Sequence, residues 1–270
     1  MNSDTERPAL DADAIRSAVV RPRGSWRSFD VVAETGSTNA DLLARARSGT
    51  DINGAVLAAE HQTAGRGRNG RQWTTPPRSQ IAVSVGIDTT GVPSTAWGLL
   101  PLATGVAVVD AISAVTGVEA KLKWPNDVLV DTGKLAGILA EVASPAPTVV
   151  IGTGLNVSVM PDDVPDSVAT SLAMLTAAPV DRSALLTEFL TRLADRVESW
   201  RAAGGADERL LDDYRQCSGT LGTAVRVLLP GDRQLLGDAV DIDESGRLLI
   251  DSEGERITVA AGDVTHLRPA

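Results

Sequence analysis

The stretch Gly65-Arg66-Gly67-Arg68-Asn69-Gly70-Arg71, followed by Gln72-Trp73, restricts the fold more than any other part of this chain. It contains the spacing G-x-G-x-x-G. In a dinucleotide-binding βαβ unit that spacing opens a helix, with an acidic residue about twenty positions on. Here Thr74-Thr75-Pro76-Pro77 follows, and prolines so close behind stop a helix from forming. A doubly wound dinucleotide fold is therefore excluded. What remains is a loop with three arginines, three glycines and no carboxylate, set in a chain of net charge −10. Glycines let backbone N–H groups approach an anion, and guanidinium forks match phosphate or carboxylate oxygens. The whole segment His61–Pro77 is too long and too rich in glycine and proline for an ordinary turn, and such connections in compact domains are functional or mobile. A solvated basic surface loop is the plainer alternative. The Trp73 anchor weighs against it.

Around this loop the hydrophobic pattern alternates. A short amphipathic helix is expected over Ala12–Val20, a strand over Phe29–Glu34, and a helix over Thr38–Ser48 with Ser37 or Thr38 capping and Gly49 stopping it. Strands are expected over Ala55–Glu60 and Ile81–Ile87, then one helix or two from Ser94 as N-cap to Val115. Four strands follow in quick succession, over Glu119–Trp124, Asp127–Val130, Lys134–Val142 and Thr148–Val157. Met160–Thr170 is a loop holding Asp162, Asp163 and Asp166. Ser183–Trp200 is an amphipathic helix with Leu186, Phe189, Leu190, Leu193 and Val197 on one stripe, and a further helix covers Ala206–Tyr214. From Gly219 the texture changes to short alternating strands separated by Pro230-Gly231, Glu244-Ser245-Gly246 and Glu253-Gly254, the pattern of a small β-barrel.

Composition closes several routes. Cys217 is the only cysteine, and His61 and His266 are the only histidines. No internal disulfide, thiolate zinc cage or multi-histidine centre can form. The acidic balance argues against nonspecific nucleic-acid coating. The uncharged run Thr89–Val109 is long enough to span a membrane, but prolines and glycines interrupt it, so it reads as a buried helix. No apolar leader opens the chain.

Four further segments carry chemistry. Of 25 basic residues, only Lys121, Lys123 and Lys134 are lysines, and they cluster where a compact, movable ammonium is useful. Lys123-Trp124-Pro125-Asn126-Asp127 is a proline-fixed turn that leaves an amide and a carboxylate at a strand end. Lys134 opens an apolar strand in which Gly137 permits close approach to the backbone. Gly152-Thr153-Gly154-Leu155-Asn156 ends a strand in small residues and an amide. Ser37-Thr38-Asn39, with Gln62, offers hydroxyls and amides suited to a neutral polar group such as a urea. Each is weak alone, and an N-cap without a ligand accounts equally well for Ser37.

Together these segments resemble the catalytic domain of the biotin protein ligases, or biotin–[acetyl-CoA-carboxylase] ligases. The matching pieces are Ser37-Thr38-Asn39, Gln62 to Arg71, Lys123 to Asp127, Gly133 to Leu139 and Gly152 to Val157, in family order across roughly residues 25–175. The tail, Gly246-Arg247-Leu248-Leu249-Ile250 through Glu253-Gly254 to Thr265-His266-Leu267-Arg268, resembles the family's small SH3-like barrel. The resemblance implies an α+β fold, a mixed β-sheet flanked by helices as in class II tRNA synthetases. It implies an N-terminal segment over 1–24, a catalytic domain over 25–217 and the barrel over 218–270.

The resemblance also implies chemistry. Biotin and MgATP form biotinyl-5′-adenylate and pyrophosphate, and a lysine of a biotin carboxyl carrier protein or domain then takes the biotinyl group. By the family pattern Lys134 and Arg68 are catalytic. Ser37, Thr38, Asn39, Gln62, Arg66, Gly67, Arg68, Lys134 and Gly137 hold biotin. Arg68, Arg71, Lys123, Asn126, Asp127 and Asn156 hold ATP or the adenylate, with Asp127 near Mg²⁺. Some relatives carry an N-terminal DNA-binding domain and act as repressors. Only about thirty residues precede the first family strand here, so no operator binding is expected. A monomer in the cytoplasm, without DNA or membrane, is the expectation. The rivals are a lipoate or octanoate ligase on the same fold, disfavoured by the Lys-Trp-Pro-Asn-Asp run and the barrel, and a non-enzymatic biotin sensor.

Overall fold

The computed structural model describes residues 7–145, 147–163, 168–229, 233–260 and 262–267. The Pro230-Gly231 turn, Asp166 and Arg268 lie outside them. Seven strands form the large sheet: β1 (Ser28–Val32), β2 (Ala55–Ala59), β3 (Gln80–Asp88), β4 (Lys121–Lys123), β5 (Asp127–Val130), β6 (Gly133–Ala143) and β7 (Thr148–Asn156). Their order is β1-β2-β3-β7-β6-β5-β4. Only β1 and β2 are parallel, and every other pair is antiparallel, so the sheet is mixed.

Period two along the central strands explains why the sheet has one covered face and one open one. In β3, Ile81, Val83, Val85 and Ile87 face one way, and Gln80, Ala82, Ser84 and Gly86 the other. In β7, Val149, Ile151 and Leu155 oppose Gly152, Gly154 and Asn156. The apolar face packs on α1 (Ala12–Val19), α3 (Leu99–Thr116), α5 (Arg182–Ala202) and α6 (Glu208–Cys217) in one continuous core. The face of small residues is covered only in part, by α2 (Thr38–Arg47), through Leu42, Leu43 and Ala46 on Leu57 and Val150. Beyond the end of α2 that face is lined by small residues, with glycine at 137, 152 and 154.

The expected elements fall close to the observed ones, with three differences. Ser94 opens a 3₁₀ turn over Ser94–Ala96, and α3 begins only at Leu99. Trp97 and Gly98 lie between the two. A single-turn helix, α4 (Leu172–Leu175), closes the loop after β7. The arginine segment is not structureless: Trp73 N–H donates to Gly65 O at 2.9 Å and Gly67 N–H to Arg71 O at 2.7 Å. It is a narrow hairpin, turned at Asn69 (φ 56°) and Gly70 (φ 73°), residue types that tolerate left-handed backbone. α3 is long and apolar enough to span a membrane, and twelve of its residues are buried in the core.

The C-terminal part is a second sheet: β8 (Ala224–Leu229), β9 (Arg233–Ile242), β10 (Leu248–Ser252), β11 (Glu255–Val259) and β12 (Asp263–His266), in the order β11-β10-β9-β8-β12. All its pairs are antiparallel. The barrel expected from the sequence is thus an antiparallel sheet without a β11–β12 pair among the described residues. It props the Lys123-Trp124 corner. Gly219 N–H donates to Leu122 O at 2.8 Å, Trp124 N–H to Thr220 Oγ1 at 3.0 Å, and Trp124 Nε1 to Gly246 O at 3.0 Å.

Candidate active site

The bare floor is paved by glycine. Gly137 of β6 pairs with Gly154 of β7, and Leu139 with Gly152. A Cβ on Gly154 would stand 2.6 Å from Trp73 Nε1, one on Gly137 3.2 Å from Trp73 Cζ3, and one on Gly152 2.3 Å from Asn39 Oδ1. The glycines therefore let two groups lie directly on the strands: the Trp73 indole and the Asn39 amide. Trp73 Nε1 also donates to Gln80 Oε1 at 2.6 Å. The Trp73 anchor of the arginine segment thus rests on the floor itself.

At the inner end, Ser37 caps α2, its hydroxyl accepting from Ala40 N–H. Thr38, Asn39 and Gln62 are buried, as is Ser84 on β3. Gln62 Oε1 accepts from Thr38 N–H at 2.9 Å and lies 3.0 Å from Thr38 Oγ1. Thr38 Oγ1 is 2.6 Å from Ser84 Oγ, which donates to Asn39 Oδ1 at 2.6 Å. Asn39 Nδ2 donates to Glu141 Oε2 at 2.9 Å and to Leu139 O at 3.3 Å. Sequence reasoning missed Ser84 and Glu141. A single serine inside an apolar strand and a charge near a strand end carry no local signal.

At the outer end, Lys134 Nζ sits 2.7 Å from Asp127 Oδ1 and 5.4 Å from the centre of the Trp73 ring. Backbone on both sides of Lys134 is fixed: its N–H donates to Val168 O at 2.6 Å, and Thr170 N–H to its O at 3.0 Å. Arg68 Nη1 donates to Asn126 Oδ1 at 2.9 Å, and Asn126 Nδ2 to Ile138 O at 3.0 Å. The hairpin is thereby latched to the proline-fixed corner. Asn156 Nδ2 donates to Thr170 O at 2.9 Å, leaving its buried Oδ1 without a partner. Arg71 points elsewhere: its Nη2 meets Asp263 Oδ2 of β12 at 2.7 Å. Arg66 is exposed, Gly67 is half-buried in the hairpin, and Lys123 is half-buried at the corner. Burial and the nearby Lys123 charge both hold His266 below the ordinary imidazole value, and its Nε2 lies 2.9 Å from Thr220 Oγ1.

A strap of the N-terminal segment backs this site. Arg7 Nη2 donates to Ser158 O and Asp163 Oδ2, both at 3.0 Å. Leu10 N–H donates to Glu60 Oε1 at 2.6 Å, and Glu60 pairs with buried Arg182 at 2.8 Å. Arg182 Nε in turn donates to Gln80 O at 3.1 Å. Among the described residues no group of three or more His, Cys, Asp or Glu side chains is disposed to hold a metal ion.

The arrangement joins a buried pocket of hydroxyls and amides, backed by the Glu141 carboxylate, to a cationic patch across a glycine-lined floor. It suits a ligand with a neutral polar head, an apolar body and an anionic tail. The biotin/lipoate A/B protein ligase family model matches residues 31–156, and the biotin protein ligase C terminal domain model matches residues 220–267. A biotin–[acetyl-CoA-carboxylase] ligase of Mycobacterium tuberculosis is 52% identical over 268 residues, 98% of each chain. The bifunctional ligase/repressor BirA of Bacillus subtilis is 31% identical over 83% of this chain and 68% of its own. Among solved structures, the biotin protein ligase from Aquifex aeolicus in complex with biotin and ATP superposes with a TM-score of 0.77. It is 26% identical, and the match covers 90% of this chain and all of that one.

Proposed function

This chain belongs to the biotin/lipoate A/B protein ligase family, and from that membership we infer how its cleft performs the family's two-step reaction. It activates biotin with ATP and transfers the biotinyl group to a carboxyl carrier lysine of acetyl-CoA carboxylase. Ser37, Thr38, Asn39 and Gln62 take the ureido ring, and the apolar bicycle lies against the Trp73 indole that rests on Gly137 and Gly154. The valeryl carboxylate then points toward Lys134.

Two anions must meet for activation: the carboxylate oxygen attacks the α-phosphorus as pyrophosphate leaves. Like charges about 4 Å apart repel by roughly 4 kcal/mol at an effective dielectric of 20. Lys134 removes that barrier. In the free chain Asp127 neutralises it, and the arriving anions draw its ammonium off that partner. Arg68, Arg66 and the backbone N–H groups around Gly67 hold carboxylate and α-phosphate oxygens as negative charge grows on them. Arg71 exchanges Asp263 for a phosphate. Lys123, Asn126 and Asn156, with its unpartnered Oδ1, hold the nucleotide. One carboxylate, Asp127, is too little for a resident metal site, but it fits Mg²⁺ carried by the triphosphate, whose oxygens and water supply the other ligands. When bound, the ion screens the triphosphate charge.

In the second step the carrier amine attacks the anhydride carbonyl and AMP departs. No side-chain nucleophile is needed, and positioning does the work. The hairpin latched through Arg68 keeps water from the reactive adenylate. The reaction belongs in the cytoplasm, in a monomer that uses neither DNA nor a membrane; the acidic charge and the burial of α3 support that reading. The observation that carries the proposal is Lys134, held between Asp127 and Trp73 at the end of the glycine floor. Pyrophosphate exchange into ATP tests it, run with biotin, with lipoate and with no acid. Exchange with biotin alone is expected. Exchange with lipoate instead would move the chain to the sister activity, and no exchange with either acid would leave a binding protein.

A further inference from the structure

On the open face of β3, Ala82, Ser84 and Gly86 are small, and Gln80 alone carries a long side chain. It is 1% exposed. An amide so deeply covered is costly unless its polar atoms find partners, and neither the sequence motifs nor the mechanism above gives Gln80 a task. Its partner is the Trp73 indole, whose Nε1 donates to Gln80 Oε1 at 2.6 Å. An indole nitrogen only donates, so Gln80 must turn its oxygen toward the ring. The ring is thereby fixed twice. Gly137 and Gly154 lie under it, where a Cβ would stand 3.2 and 2.6 Å away, and the bond to Gln80 sets its angle.

Gln80 is itself firmly held. Its backbone O accepts from Arg182 Nε at 3.1 Å, and Arg182, 5% exposed, is ion-paired with Glu60 at 2.8 Å. A buried ion pair resists separation, because parting it leaves a charge uncompensated. Trp73 in turn closes the root of the arginine hairpin. Its N–H donates to Gly65 O at 2.9 Å, and a Cβ on Gly65 would stand 2.3 Å from Trp73 O. The tip is held otherwise: the Arg71 side chain, 66% exposed, meets Asp263, and Arg68 meets Asn126. We propose that Gln80 is a positioning residue which, through the Trp73 indole, makes the root of the hairpin a fixed pivot on which the tip closes over the adenylate and opens for the carrier. The role rests on the reading that biotinyl-adenylate forms in this cleft. Without the Gln80 oxygen the indole keeps its seat on the glycines but loses the bond that sets its angle. The ring centre lies 5.4 Å from Lys134 Nζ, so a tilted ring also displaces the hairpin arginines relative to that ammonium.

Release of the adenylate tests this, followed on the full chain loaded with biotin and MgATP labelled at the α-phosphate, with no carrier present. Gln80→Met keeps the length of the side chain and removes the amide oxygen. It is expected to release biotinyl-adenylate about tenfold faster than the parent, the scale of one buried hydrogen bond. The KM for ATP should stay within about twofold of the parent, because the tip contacts through Arg68 and Arg71 are untouched. Trp73→Phe keeps a ring on the glycines and removes the donor. Adding Gln80→Met to it should quicken release no more than about twofold further, since the bond is already gone. If Gln80→Met fails to fold, Trp73→Phe alone must release the adenylate about tenfold faster. Release from Gln80→Met within twofold of the parent, a full further acceleration on the Trp73→Phe background, or a KM for ATP that rises as far as release does would overturn the pivot and leave the adenylation reading intact. A parent chain that forms no adenylate would remove both.

Discussion

Thr38, Asn39, Gln62 and Ser84 at the inner end of the cleft are nearly sealed from water, whereas Arg66, Asn69 and Arg71 at its outer end stand in it. The inner groups are bonded to one another in a closed chain. Among the described residues the side chains of the hairpin tip reach Asp263, and its Arg68 reaches Asn126. The two ends of one ligand face opposite demands. A neutral urea gives little Coulomb energy, so its recognition depends on donors and acceptors fixed beforehand. A carboxylate and a triphosphate carry charge enough to pull mobile cations into place. Those cations must also let go, since AMP leaves and a carrier lysine must enter. On the proposed reading, the bonded groups sit where specificity is set, and the exposed cations where turnover needs them to move.

Adding one methyl group at each end is the most direct way to break this contrast. Gly152→Ala drives a methyl against Asn39 Oδ1, which sealed neighbours hold in place. Overpacking of this kind costs about 3 kcal/mol, and biotin affinity should fall over about 100-fold. Gly137→Ala meets only the Trp73 edge and the Lys134 stem, at 3.2 and 3.3 Å, and both can shift. About fivefold or less is expected there. Equal losses in calorimetric biotin binding would show that the outer end is as rigid as the inner.

Arg68→Gly probes the outer end from its latch. Loss of a charged hydrogen bond to Asn126 is worth roughly 1.5–3 kcal/mol, so adenylate should escape about 10–100-fold faster. Bystander proteins incubated with the variant, biotin and ATP would acquire biotin on exposed lysines, read by avidin blot. A variant that labels only the carrier would mean that Arg68 does not hold the lid. Inner-end affinity, measured as biotin binding without ATP, should change far less.

The contrast also marks what could be read in the sequence. The motifs at 37–39, 62–71, 123–127, 133–139 and 152–157 expose their chemistry locally, since amides, hydroxyls, arginines and bare glycines are unusual within apolar runs. Period two placed β3 and β7, but their order beside β2 and β6 depends on pairings far apart in the chain. Ser84 in Gln80–Asp88 looks like a tolerated small residue, and only the fold sets it between Thr38 and Asn39. Asp263 meets Arg71 across 192 positions, a distance no spacing rule spans. Pro93 and Gly98 hid the true start of α3 because Ser94 offers a plausible cap that the backbone uses for a 3₁₀ turn instead. The arginine segment read as a loop rather than a hairpin because its ladder joins backbone groups, to which side-chain composition is blind.

The smallest expected effect compares the two ends through a single backbone amide each. At the outer end Trp124 N–H donates to Thr220 Oγ1, which leaves that hydroxyl its own proton for His266 Nε2. This arrangement needs a neutral imidazole. Burial first, and the Lys123 charge second, disfavour the imidazolium in the folded chain. Its folded value therefore lies below the unfolded 6.5, so the unfolded chain takes up the proton more readily. The stabilisation is whole above that pH and is lost as pH falls from 6.5 through the folded value. Asp88 and Asp241, held low by their hydrogen bonds despite burial, contribute only to losses near and below 3.8, so the two windows separate. Between about pH 7.5 and 5.5, hydrogen exchange at the Trp124 amide, corrected for intrinsic rates, should accelerate. The Thr38 amide, bonded to the Gln62 side chain while the neighbouring His61 ring is bonded to Glu34 instead, should keep its protection. His266→Asn should flatten the Trp124 response without altering that of Thr38. If both amides loosen together on acidification, the cleft opens as one unit, and the division between a fixed inner end and a yielding outer end does not hold.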